Sequence, residues 1–99
     1  GGSTAISQTT GLGVSSSAGT SIYTLYTAAS YNDDEAAKVY LRNAATDATY
    51  YATITIGSQT VGRLYAGDVA LIPWDTTQDF KITQSHASIN VEHILFHEG

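Results

Sequence analysis

From residue 50 onward, apolar and polar positions alternate with a period of two. Tyr50, Ala52, Ile54 and Ile56 fall on one side and Tyr51, Thr53 and Thr55 on the other. This is the pattern of a half-buried β-strand, whose side chains point in turn to opposite faces. Gly57-Ser58 turns that strand, and Gln59 to Tyr65 predicts the next. Gly67-Asp68 makes a second tight turn, because glycine reaches positive φ without a Cβ clash and aspartate bonds the local backbone. The short apolar run Val69 to Ile72 reads as a strand closed by Pro73, which lacks a ladder donor. Trp74, the only tryptophan, offers the largest apolar surface in the chain, so a core is expected around it. Phe80 to Gln84 predicts a strand with Phe80 and Ile82 inward. Ile89 to Phe96 predicts a last, more apolar strand with a neighbour on each side.

The first half is less regular. Ser21 to Ala28 is rich in β-branched and aromatic residues and reads as a strand. Strict alternation sends Tyr23, Leu25 and Thr27 one way and Ile22, Thr24 and Tyr26 the other. Neither side is purely polar, which suits a sandwich whose outer side also meets a partner. Residues 34 to 45 admit two readings. Asp33 as N-cap, acids in the first turn and frequent alanine allow a helix. The run Lys38 to Arg42 also allows a strand with Val39 and Leu41 inward and Lys38, Tyr40 and Arg42 outward. The period-two neighbours favour the strand.

Seven or eight short strands at this spacing, without helical crossovers, predict an all-β fold. The expected architecture is an antiparallel β-sandwich, jelly-roll or Greek-key-like, over residues 21–99. Residues 1–20 differ. They are mostly Gly, Ser and Thr, and the first charged residue of the chain is Asp33. Such a stretch buries too little by itself to offset its backbone entropy. A solvated tail usually carries charge, so this segment reads as an extended arm that docks on a neighbouring subunit.

Composition sharpens the picture by exclusion. Charged residues are 13% of the chain, about half the usual share of roughly 25%. A surface so poor in charge implies contact with other molecules. The net charge is −5, with only 4 Lys and Arg, which argues against binding nucleic acid through its phosphates. There is no cysteine, hence no disulfide and no thiolate site. No apolar run approaches the ~18–20 residues of a membrane-spanning helix. No basic stretch leads into an apolar one near Gly1, so no signal peptide is expected.

Candidate chemistry is sparse. His93 and His97 would share a face of the last strand but lie ~13 Å apart along it, too far for one ion. His86 stands apart from both. Asn32, Asp33, Asp34 and Glu35, with Asp47, form an oxygen-rich set that calcium could use, although the spacing is not that of an EF-hand. No G-x-S-x-G elbow is present. The expectation is no catalytic residue, no cofactor and no metal site. Tyr23, Tyr40 and Tyr51 could form a stacking platform for sugar if they lie on outward faces, but tyrosine equally suits subunit contacts.

Two stretches carry a resemblance. Val39-Tyr40-Leu41-Arg42-Asn43 leads through the alternating strand to Gly62-Arg63-Leu64-Tyr65-Ala66-Gly67-Asp68 and on to Leu71-Ile72-Pro73. The chain then ends Val91-Glu92-His93-Ile94-Leu95-Phe96-His97-Glu98. Together, over about residues 38–98, they resemble small virion proteins of tailed bacteriophages, of the head-decoration or cement type. The resemblance implies a non-enzymatic structural protein on the capsid surface, bound to the major capsid protein and to copies of itself, often as a homotrimer. The same kind of small β domain serves in tail fibres, spikes and adaptors. A carbohydrate- or receptor-binding module, or a tail adaptor component, is therefore the alternative expectation.

Overall fold

The computed structural model describes residues 8–9, 12–15, 19–31 and 36–97. Nine strands carry the fold, and no α-helix occurs among the described residues. In chain order they are β1 (Gln8–Thr9), β2 (Gly13–Ser15), β3 (Tyr23–Tyr26), β4 (Ala37–Asn43), β5 (Tyr51–Ile56), β6 (Gln59–Tyr65), β7 (Val69–Trp74), β8 (Phe80–Gln84) and β9 (Val91–His97). A 3₁₀ turn, Ala28–Ser30, follows β3. All pairings are antiparallel. Sheet A runs β1-β9-β4-β7, with β2 also on β9; sheet B runs β3-β8-β5-β6. Counting β1 and β2 as one interrupted strand, each sheet has four strands, and their order is that of a jelly roll.

The period-two reading is met most cleanly in β4 and β5. Ala37, Val39, Leu41 and Asn43 are buried while Lys38, Tyr40 and Arg42 look outward, so this stretch is strand and not helix. Ala52 and Ile54 are buried on β5, opposite Gln84 and Ile82 of β8. The core between the sheets also takes Leu64, Trp74, Phe80, Ile89, Val91 and Leu95. Tyr26 is its aromatic hub, with ring centroids 6.1 Å from Trp74, 6.3 Å from Phe80 and 5.5 Å from His93. Trp74 donates from Nε1 to the Gln78 carbonyl at 2.7 Å, which ties the following loop to the core.

Three features depart from the sequence expectation. In β3 the register on β8 shifts between Thr24 and Tyr26. This bulge puts Tyr26 on the same inner side as Tyr23, where strict alternation would have turned it out. In β7 the strand continues through Pro73 to Trp74, paired with Lys38 and Ala37. β7 is the edge of sheet A, and Pro73 stands at a position whose missing N–H faces away from β4, so the ladder loses nothing.

The third departure concerns residues 1–20. Gln8–Thr9 and Gly13–Ser15 pair with β9 of the same chain, through Gln8↔His97, Thr9↔Phe96, Gly13↔His93, Val14↔Glu92 and Ser15↔Val91. These residues complete the edge of sheet A, and their ladder needs no neighbouring subunit. The expected acidic turn at residues 32–35 lies outside the described residues.

Turn chemistry follows the sequence. Gly57 and Gly67 adopt φ of 63° and 83°. Asp68 accepts the Tyr65 N–H at 2.9 Å through Oδ2. Asn43 is fully buried where β4, β6 and β7 meet. Its Nδ2 donates to the Leu64 carbonyl at 2.8 Å and its Oδ1 accepts the Ala45 N–H at 2.9 Å.

Candidate interaction surface

Both outer faces of the sandwich carry exposed apolar side chains, but in different arrangements. Sheet B presents hydroxyls. Thr53 pairs with Thr83, Thr55 with Lys81, and Thr24 with Lys81, all on the outward side. At one end Arg63 lies over the Tyr51 ring, 4.1 Å from its centroid, with Tyr65 5.4 Å from Tyr51. The Tyr65 hydroxyl accepts a long hydrogen bond from Arg63 at 3.4 Å, and this bond raises the guanidinium pKa. Its exposed apolar residues, Ile22 beside β3 and Val61 and Tyr65 on β6, stand at the two edges of the sheet.

Sheet A carries its hydrocarbon across the middle of the face. Register places three rows across it. Val69, Arg42, Glu92 and Val14 form one; Leu71, Tyr40 and Ile94 the middle; Pro73, Lys38 and Phe96 the third. Val14, Val69 and Leu71 are 59%, 58% and 56% exposed. Arg42 and Glu92 pair at 3.2 Å within the first row. A single exposed aliphatic residue needs no explanation; Val69, Leu71 and Val14 exposed on one face, with half-buried Tyr40, Ile94 and Phe96 among them, make it a candidate contact surface. The origin is visible in the sequence: Val69-Ala70-Leu71-Ile72 is apolar on both sides, so one side fills the core and the other is left facing out.

The candidate residues scatter. Tyr40 is on the outer face of sheet A and Tyr51 on that of sheet B. Tyr23 faces inward and donates to Gln84 Oε1 at 2.9 Å. The three therefore build no common platform for sugar. His86 is exposed at a sheet end, stacked on Tyr50 at 4.3 Å between centroids. His93 and His97 both turn toward the inner side of β9, as alternation requires, into separate surroundings. His93 Nδ1 shares a hydrogen bond of 2.7 Å with the Tyr26 hydroxyl, and burial lowers its pKa. His97 packs at 5.7 Å from the Tyr31 ring. Among the described residues no three His, Cys, Asp or Glu side chains converge on one point. Asp47 is held below the ordinary carboxylate range by the Thr49 hydroxyl and N–H, and Asp75 likewise by Thr77. Both are local turns on the surface.

One open cleft of about 490 Å³ lies beside the end of β7, lined by Lys38, Ile56, Pro73, Trp74 and Asp75. Its walls are mainly apolar, and Lys38 and Asp75 are its charged lining residues. Sequence reasoning named Tyr40 and the 69–72 run but did not assemble the face. The missing information was which strands lie side by side. Comparison with known protein families and with characterised proteins finds no match to this chain.

Proposed function

We propose that this protein is a non-enzymatic structural protein of a tailed-bacteriophage virion, a decoration or cement protein of the capsid surface. It acts by covering protein surface: it binds the major capsid protein and associates with copies of itself. The observation that carries this reading is the row Leu71, Tyr40 and Ile94 across the middle of sheet A, flanked by exposed Val69 and Val14, where sheet B carries threonines and Lys81 between its edges. The resemblance over residues 38–98, the scarcity of charge and the jelly-roll body support it, the last by analogy alone, since this fold serves capsid proteins and lectins alike.

Cementing needs no chemistry beyond burial. At ~25 cal/mol per Å² even a small apolar contact contributes, and many copies on one shell add by avidity. The test is co-sedimentation with phage heads lacking the protein. Val69→Asp with Leu71→Asp should weaken binding at least tenfold while Trp74 emission and cooperative unfolding stay unchanged. Undiminished binding by that folded variant refutes the role of this face. Binding to a glycan array that is lost in Tyr51→Ala would instead support a receptor-binding module.

A further inference from the structure

We propose that the outer face of sheet A seats a second copy of this chain, across a two-fold axis lying in the plane between the two faces. The proposal rests on reading this face as an interface and names its occupant in the free protein; a face covered by a copy is closed to the capsid, so the pair must part before a phage head is bound there. What selects a copy of itself is the placement of charge.

β4 carries a cation at each end of the face, Lys38 and Arg42, with Tyr40 between them. Glu92 stands beside Arg42 and already pairs with it. Among the described residues no carboxylate pairs with Lys38. Among the described residues the face thus offers one carboxylate with a second oxygen to share and, at its opposite end, one cation outside any ion pair, although Asp75 lines the same cleft as Lys38. A self-complementary pair brings each Lys38 over the partner's Glu92.

The handedness of the sheet can be fixed. The inward residue Asn43 donates its N–H to the Asp68 carbonyl at 3.1 Å and accepts from the Gly67 N–H at 2.8 Å, both on the β7 side. Peptide groups of successive residues point to opposite sides, so those of Lys38, Tyr40 and Arg42 point to β9. For L-residues this means that, seen from outside with β4 running upward, β9 lies to the right and β7 to the left.

On a lattice of ~4.8 Å between strands and ~3.4 Å per residue, Lys38 and Glu92 are ~14 Å apart on the diagonal. The two-fold that superposes each on the other's counterpart passes close to Tyr40 and crosses β4 nearly at right angles. It sets the two sheets at about −40°, with the sign and close to the size of the about −30° seen when sheets pack aligned. The same operation lays Tyr40 on the partner's Tyr40 and Ile94 on the partner's Ile94. It brings Phe96 to the partner's Val14 and places Arg42 over the Leu71–Pro73 edge. An axis along β4 would stack like cations on each other. An axis exactly across β4 would set Arg42 against Lys38. The footprint, four strands by five residues, is ~19 × 17 Å. That is small beside the ~800 Å² per partner of a standard interface, so the pair should form reversibly.

The experiment is a sedimentation-equilibrium series on the full chain. Wild type should pass from monomer to dimer as concentration rises. Lys38→Glu alone sets a carboxylate against the partner's Glu92 and should remain monomeric where wild type dimerises. Glu92→Lys alone, which sets two ammonium groups together, should do the same. A 1:1 mixture of the two should dimerise, because both cross-contacts are then attractive. Trp74 emission confirms that each variant is folded. A wild type that stays monomeric, or that forms a trimer, overturns the proposal, and so does a mixture that stays monomeric. If wild type is monomeric but Val69→Asp with Leu71→Asp still abolishes binding to phage heads, the face remains an interface and only its occupant is wrong. If that variant binds heads fully, the reading of the face fails as well.

Discussion

Gly13 is the residue that lets β2 lie on β9. It stands opposite His93, and a Cβ there would fall 2.7 Å from His93 Nε2 and closer still to Cε1. The ring cannot readily give way, because the Tyr26 hydroxyl holds Nδ1 at 2.7 Å and the Tyr26 ring packs edge-on against it. Gly13→Ala therefore forces either the imidazole out of its place or β2 off the edge. Overpacking of this kind costs ~1–3 kcal/mol, and the hydrogen bond contributes ~1 kcal/mol more if it breaks. Against this, alanine restricts the unfolded chain and by itself would stabilise by ~0.4–1 kcal/mol. The net expectation is a loss of ~1–3 kcal/mol, or about 4–8 °C in Tm for each kcal/mol in a domain of this size. Urea unfolding followed by the emission of buried Trp74 measures it. The decisive arm is the double variant: Gly13→Ala in a His93→Ala background should cost ~1 kcal/mol less than in wild type, since the obstacle has gone. Additive effects, or a Gly13→Ala protein as stable as wild type, would refute the packing of β2 on His93.

Two further predictions follow from the same interior. Burial lowers the His93 pKa from its ordinary value, so the unfolded chain takes up the proton first as pH falls. His93 should thus have no effect on stability above the unfolded value of ~6.5, destabilise as pH drops through it, and level off below the folded value. The urea midpoint measured from pH 7.5 to 5 should show this fall, and His93→Gln should lessen it. Asn43→Ala removes the partner of the buried Leu64 carbonyl and of the Ala45 N–H. It should cost ~1–3 kcal/mol for each group left unpaired, read as a lower urea midpoint at constant m-value.

The candidate surface was half-legible in the chain. Val69-Ala70-Leu71-Ile72 showed apolar residues at consecutive positions, and a strand with that property must expose one set of them on any sheet whose outer side is open. Tyr40 between Lys38 and Arg42 was correctly turned outward by alternation alone. What the chain did not show was that Val69, Leu71, Tyr40, Ile94 and Phe96 stand together, because their strands are far apart in sequence. The sugar platform failed for the same reason: Tyr23, Tyr40 and Tyr51 each follow local rules, and the topology sends them to different surfaces.

Local pattern determined where the strands of the second half run, which side chains of β4 and β5 enter the core, and where Gly57 and Gly67 turn the chain, since these depend on steric preferences within a few residues. The antiparallel sandwich followed from strand number and spacing. Tertiary structure decided the rest: the bulge that swings Tyr26 inward, the survival of Pro73 within an edge strand, the placing of Gly13 and its neighbours on β9, and the assembly of Leu71, Tyr40 and Ile94 into one row across sheet A. Each depends on which strand lies alongside which, a choice made by pairing and burial across long separations, and alternation within one strand is silent about its neighbours.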